Sequence, residues 1–323
     1  MKKNEFNSFV VEYDSFLVCS HETPDADALG SSIALAIYLK ILGKDAEYLL
    51  SDEIPINLEF LINKPLSVTK ETLIKSKYQA IIVLDSSNLR RTPLNQENKI
   101  WNLPILNIDH HPDNDRFGDI NILNFTASST GEILYNLFDK YMIDKDIAKQ
   151  LYAAIVGDTG GFKHSNTSAI IMRVAADLME YEFNSYEIKS KILDFRTKNA
   201  FALVSDAISN VKIFEKFVIM TVNREIIKKY NLKPTEYPEL VNYIRGIEGT
   251  YVAIVFTEVY DNNVKISFRS IPPVDISIVA RTFGGGGHKY ASGCQMNGEF
   301  SEIITKVCNF TQEYLEGLDL EID

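Results

Sequence analysis

Cysteine is scarce in this 323-residue chain: Cys19, Cys294 and Cys308 are odd in number and widely spaced. That excludes a disulfide framework and fits a reducing compartment. Long apolar runs are missing too. None approaches the ~20 residues that a membrane-spanning helix needs, and the opening Met1-Lys-Lys-Asn-Glu-Phe6 has no signal-peptide core, so a cytoplasmic protein with no membrane partner is expected. Internal repeats and low-complexity tracts are absent. Basic charge is in deficit, with 33 Lys and Arg against 44 Asp and Glu and a net charge of −11. Holding long nucleic acid requires many phosphate-neutralising cations, so that class of partner is disfavoured, whereas a ligand with about two to five phosphates stays within reach of metals and a few arginines. With 46% apolar and 24% charged residues the chain is otherwise ordinary globular material, long enough for two domains.

Histidines number only five, and their placement is informative. Asp109-His110-His111 follows the apolar run Leu103 to Ile108 directly. Buried polar side chains are costly unless paired or metal-bound, so such a triplet at the mouth of a strand calls for a ligand; a solvated turn is the alternative. Phe16 to Cys19 reads as a buried strand and leads into His21, Pro24, Asp25 and Asp27. Asp25 is a good N-cap for a helix running through Ile33 to Leu42. Capping uses one Asp but leaves His21 and the second carboxylate without a role, which favours metal ligation. Ala80 to Leu84 is another buried strand and ends in Asp85-Ser86-Ser87. The fourth segment, Gly157-Asp158-Thr159-Gly160-Gly161, follows Leu151 to Val156, which is either the end of a helix begun near Lys145 or a further strand. Its glycines permit tight turns that leave Asp158 accessible.

Alternating strand and helix patterns imply a parallel sheet, whose ligands gather beyond the carboxyl ends of the strands. Asp25, Asp27, Asp85, Asp109 and Asp158 would meet there with His21, His110 and His111. That is too many donors for one zinc. An oxygen-rich set with a few imidazoles suits two Mn²⁺ or Mg²⁺ ions about 3.5 to 4 Å apart.

In order, the His21-x-x-x-Asp25-x-Asp27 motif, the strand-end Asp85, the Asp109-His110-His111 triplet and the Asp158 segment resemble the four motifs of the DHH phosphoesterase family. The later Ser267-Phe-Arg269-Ser270 and Gly284-Gly-Gly-Gly-His288 to Gly293 segments resemble the DHHA1 substrate-binding domain. The resemblance covers nearly the whole chain and points to the family's oligoribonuclease or pAp-phosphatase branch. It implies an α/β fold: an N-terminal parallel-sheet domain, a smaller C-terminal α/β domain, and an active-site cleft between them. It also implies that His21, Asp25 and Asp85 hold one metal, that Asp27, Asp85, His110 and Asp158 hold the other, that Asp109 orients its neighbours, and that His111 faces the scissile phosphate. The implied cofactors are two divalent ions, Mn²⁺ ahead of Mg²⁺. The implied substrates are short oligoribonucleotides, pApA and 3′-phosphoadenosine 5′-phosphate, and a homodimer is compatible. Two departures stand out: Ala26 where many members have Gly, and Ser86-Ser87 in place of Thr-Ala or Cys-Ala. Neither removes a ligand. The rival readings are a pyrophosphatase, a cyclic-dinucleotide phosphodiesterase and a nucleotide-sensing binding protein.

The expected domains are residues 1–185, a helical linker over 186–208, and residues 209–323. In the last, Val211 to Phe214 and Phe217 to Val222 suggest a hairpin through Glu215-Lys216, and Asp261-Asn262-Asn263 is a turn between two strands. Val274 to Phe283 reads as a helix stopped by the glycines. A glycine loop lets backbone N–H groups approach an anion, and Arg269 and His288 would add charge, so Arg269, Gly285, Gly286, Gly287 and His288 are the expected phosphate contacts; a plain helix stop is the alternative. His164 is assigned no ligand role, and Ser129 to Glu132 reads as a capping box.

Overall fold

The computed structural model describes residues 2–51, 54–94, 102–233, 236–318 and 320. They form two compact units, Met1–Phe195 and Arg196–Asp323.

The first unit is built on strands β1 (Ser15–Cys19), β2 (Asp45–Leu49), β3 (Ser67–Val68), β4 (Ala80–Leu84), β5 (Ile105–Asp109) and β6 (Ile120–Leu123). All pair in parallel, in the order β3-β2-β1-β4-β5-β6. Alternation along the strands sorts their side chains between two apolar layers. Phe16, Val18, Ile82 and Leu84 join the larger core, and Leu17, Cys19, Ile81 and Val83 join a smaller one on the other face. Both faces are covered, so the strands read as unbroken apolar runs.

The larger layer includes helices α1 (Lys2–Glu12), α2 (Ala26–Ile41), α3 (Thr130–Leu137), α4 (Lys145–Asp158), α5 (Ala169–Met179) and α6 (Ser185–Lys189). Every residue of α2 from Ala26 to Leu39 is buried. It lies against α4 closely enough that a Cβ on Gly30 would stand 2.6 Å from the Gln150 carbonyl oxygen. The run Leu151 to Val156 is therefore helical, and Asp158 sits on the last turn of α4 rather than at a strand end. The chain then reverses through Gly160 and Gly161, both at positive φ.

Strand order reverses between β1 and β4, because β2 and β3 extend to one side and β5 and β6 to the other. Such a switch opens a crevice at the carboxyl ends of the two central strands, where open α/β sheets bind ligands.

The second unit carries β7 (Val211–Ile213), β8 (Phe217–Val222), β9 (Val252–Tyr260), β10 (Asn263–Ser270), β11 (Gly286–His288) and β12 (Ala291–Asn297). Their order is β11-β12-β10-β9-β8-β7, antiparallel except for β8 with β9. Here too alternation feeds two layers: Phe217 and Ile219 pack in one, Val218, Met220 and Val222 in the other. Helices α7 (Lys198–Ser209), α8 (Arg224–Tyr230), α9 (Ser277–Thr282) and α10 (Phe300–Glu316) complete it. The segment expected to link the domains is thus divided, α6 falling in the first unit and α7 in the second. The helix expected over Val274 to Phe283 is shorter, because Ser277 Oγ and N bond Asp275 in a turn that precedes it. No described helix is long and apolar enough to cross a membrane.

The α2–α4 contact yields a stability test. Gly30→Val would recover at most about 1 kcal/mol of helix propensity, against an overpacking cost of about 1–3 kcal/mol at a backbone that cannot move aside. The urea midpoint should therefore fall; an unchanged or higher midpoint would refute the close approach.

Candidate metal centre

The crevice at the β1–β4 switch is lined by carboxylates and imidazoles from four loops or helix ends. After β1, Asp25 caps α2: its Oδ1 accepts from Ala28 N at 2.9 Å, which leaves its second oxygen for other work. Asp27, two residues further on in the first turn of α2, is 1% exposed. Its carboxylate accepts from Ser31 Oγ (2.9 Å), Thr130 N (2.6 Å) and Gly131 N (3.0 Å). The first turn of α3 thus points backbone donors at Asp27, and a helix N-terminus favours negative charge. Ser129 does cap α3, through its Oγ to Glu132 N at 3.1 Å, but the Glu132 carboxylate returns to Ser128 N rather than to Ser129 N. The segment read as a capping box therefore also supports Asp27, and Thr130 Oγ1 donates to Asp85 Oδ1 at 3.1 Å.

Asp85 leaves β4 at φ 52°, a left-handed conformation that Asp tolerates better than most residues. Its carboxylate faces three imidazoles. His21 Nε2 lies 3.7 Å from Oδ2, while His110 Nε2 and His111 Nδ1 lie 3.4 and 3.6 Å from Oδ1. His110 Nε2 is also 3.5 Å from Asp158 and 3.7 Å from Asp27. Its Nδ1 is turned to the Ala127 carbonyl at 3.3 Å, which orients the ring toward the carboxylates. Asp109 is fully buried; it accepts from His110 N and His111 Nδ1, each at 2.8 Å, and from Asn114 Nδ2 at 2.7 Å.

Ligand atoms of His21, Asp25 and Asp85 come within 4.8 Å of one another, as do those of Asp27, Asp85 and His110, and those of Asp85, Asp109 and His111. Asp158 adds its carboxylate from the end of α4, and that turn is held by His164 Nδ1 (3.1 Å) and Asn166 Nδ2 (3.2 Å) at the Asp158 carbonyl. His164 thus supports the site through the backbone. Sequence reasoning passed over Thr130, Asn114 and Asn166; their only local signal is a polar residue beside a motif, and their partners lie far along the chain or around a turn.

The charges are coupled. Burial first, then the neighbouring Asp85 and Asp158 carboxylates, push Asp27 well above the usual carboxylate range. Burial likewise raises Asp158, to about 7, helped by Asp25 and Asp85 and opposed by the imidazoles. For Asp85 burial acts in the same direction, yet hydrogen bonds from His110 and His21 and the charge of His111 outweigh it and hold the acid well below its ordinary value. Burial would lower His110 and His111, but the surrounding carboxylates overcome it and raise both. The site gathers more negative charge than its imidazoles can balance, and this donor chemistry suits cations.

In the second unit Arg269 lies on β10. Its Nη1 donates to the Phe268 carbonyl at 3.0 Å, its Nη2 is 3.8 Å from Glu239, and its buried Nε has no hydrogen-bond partner among the described residues. With Arg245, Thr250 and Tyr251 it lines a small open pocket. The glycine run is structured. Gly286 and Gly287 pair with β12, and a Cβ on Gly287, at φ 127°, would stand 2.7 Å from the Ala291 carbonyl. Gly285 N–H donates to Ala280 O at 2.8 Å. That donor is engaged, so Gly285 serves the close approach to β12 rather than an anion.

Residues 15–155 match the model of the DHH family N-terminal domain, and residues 214–316 match the DHHA1 domain. The chain is 30% identical over 306 residues to a Thermus thermophilus protein named bifunctional oligoribonuclease and PAP phosphatase NrnA, covering 92% of this chain and 89% of that one. A Bacillus subtilis protein of the same name is 28% identical over 300 residues, covering 91% and 93%. Among solved structures, an exopolyphosphatase-related protein from Bacteroides fragilis superposes with a TM-score of 0.87 at 23% identity, covering 97% of this chain and 96% of that one, and so shares the fold. Motifs, architecture and relatives agree: the chain belongs to the DHH–DHHA1 family of phosphoesterases, hydrolases acting on phosphate esters.

Proposed function

We propose that this chain hydrolyses short oligoribonucleotides, the dinucleotide pApA and 3′-phosphoadenosine 5′-phosphate in the cytoplasm, using two divalent cations, Mn²⁺ ahead of Mg²⁺. The observation that carries the reading is Asp85, whose carboxylate belongs to both the His21–Asp25 group and the Asp27–His110 group. A carboxylate shared in this way is the arrangement a two-cation site needs.

His21, Asp25 and Asp85 would hold one ion, and Asp27, Asp85, His110 and Asp158 the other. When bound, the pair supplies positive charge for the phosphoryl group and acidity for the attacking water. The chain's own groups do the rest. Thr130 and the start of α3 fix Asp27 and Asp85, Asp109 orients His111, and His111 holds a proton for the leaving oxygen. From the second unit, Arg269, Gly286, Gly287 and His288 are proposed to take a non-reacting phosphate. The preference for short substrates rests on the names of the Bacillus and Thermus relatives and on the net charge of −11.

Charge crowding sets a pH dependence for the metal-free protein. Asp27, Asp158, His110 and His111 all bind protons more tightly folded than unfolded, so between the ordinary carboxylate range and pH 7 or above the folded state carries more protons. Stability of the metal-free form should then decline as pH rises through this window, and added Mn²⁺ should restore most at the high end. Thermal melts of chelated and Mn²⁺-loaded protein across pH check this; metal-free stability that climbs with pH would contradict it.

Asp85→Asn should cut turnover on pApA by at least ~10²-fold, since one neutralised ligand weakens both ions. Near-normal turnover with two Mn²⁺ bound would defeat the shared-ligand reading. Substrate length offers an independent check. A dinucleotide should be used in preference to a long single strand, with a shallow salt dependence of KM, because few counterions are released; better use of the long strand with a steep salt slope would point to a processive nuclease instead.

A further inference from the structure

We infer that Asn114 is a positioning residue for the reaction, acting through Asp109 on His111 and through Ser86 on the loop that carries Asp85. The inference rests on the phosphoesterase reading above. Asn114 lies three residues beyond His111, is 9% exposed, and has both polar atoms of its side chain in use. Its Nδ2 donates both to Asp109 Oδ2 at 2.7 Å and to the Ser86 carbonyl at 3.0 Å. Its Oδ1 accepts from Arg116 N at 2.8 Å and from Asn107 Nδ2 at 3.0 Å. Asn107, fully buried on β5, also donates to Asn121 Oδ1 at 3.1 Å, and Asn121 is fixed in turn by Gly118. A second tie between the same loops runs from Asp115 N to the Ser87 carbonyl at 2.9 Å. One amide therefore joins the strand-end loops of β4 and β5 at the residues next to Asp85 and Asp109.

The two oxygens of Asp109 divide the work. Oδ1 takes His110 N and His111 Nδ1, while Oδ2 takes Asn114. With Oδ2 anchored, the carboxylate cannot rotate away from His111, and Nδ1 keeps its proton toward Asp109. The proton that His111 delivers is then the one on Nε2. As water oxygen bonds to phosphorus, the bond to the leaving oxygen breaks with its electron pair on that oxygen, which takes the Nε2 proton; a proton released by the water returns through solvent to His111. Loss of the Asn114 donor lets Asp109 turn and His111 drift, and partners of this kind commonly matter about 10–100-fold. The effect should depend on how badly the leaving group needs a proton.

The test compares Mn²⁺-loaded wild type, Asn114→Ser and Asn114→Ala on pApA and on a nucleoside 4-nitrophenyl phosphate, whose leaving phenolate needs no proton. Both replacements are neutral, so neither sets a second carboxylate against Asp109, and the Asp115 N to Ser87 carbonyl bond still joins the loops in each. For both variants, kcat on pApA should fall about 10–100-fold with KM changed less than about 3-fold, while kcat on the nitrophenyl ester changes less than about 3-fold and two Mn²⁺ remain bound. Equal losses on both substrates, loss of bound Mn²⁺, or wild-type kcat on pApA would each overturn the inference. A wild-type protein inactive on both esters would instead bring down the phosphoesterase reading itself, and this inference with it.

Discussion

Asp27, Asp85 and Asp158 all bring a carboxylate oxygen within 3.7 Å of one imidazole nitrogen, His110 Nε2, in a region where Asp27 and Asp85 are almost completely buried. Carboxylates so close cannot all ionise without help, because each disfavours the charge of the next and burial disfavours them all. The help comes from donors fixed by the fold. The first turn of α3 serves Asp27, three imidazoles serve Asp85, and Asn114 serves Asp109. These donors still leave Asp27 and Asp158 above the ordinary carboxylate range, so the site retains a demand for positive charge. A bound cation would meet that demand, and the grouped donors could hold one.

Topology places the demand. The sheet changes direction between β1 and β4, so the segments after those strands diverge and open a crevice that the loop after β5 and the end of α4 can also reach. The tight α2–α4 contact at Gly30 lets two helices from different parts of the chain deliver Asp27 and Asp158 to the same place. The second unit is built differently, on a largely antiparallel sheet.

Much of this was legible in the residues. Strands such as Ala80–Leu84 announce themselves because both faces of the sheet are covered and every position is apolar, and Asp25 reads as a cap because capping is local. The helical nature of Leu151 to Val156 was ambiguous because a short buried run has no visible period; packing against α2 settles it. The glycines near Gly285 read as an anion loop, whereas close contact with β12 and a bond from its own N–H to the Ala280 carbonyl account for Gly285, and neither is visible locally. Thr130, Asn114 and Asn166 went unread for a similar reason. A hydrogen bond from Thr130 to Asp85 spans 45 residues, and only the fold brings the two together.

The most direct measurement is electron paramagnetic resonance of the full-length protein freed of metal and titrated with Mn²⁺. If Asp85 joins two ions about 3.5 to 4 Å apart, the second equivalent should replace the isolated six-line Mn²⁺ signal with the broadened spectrum of an exchange-coupled pair. Saturation at one Mn²⁺ per chain, or two equivalents that keep the signal of isolated ions, would contradict the account.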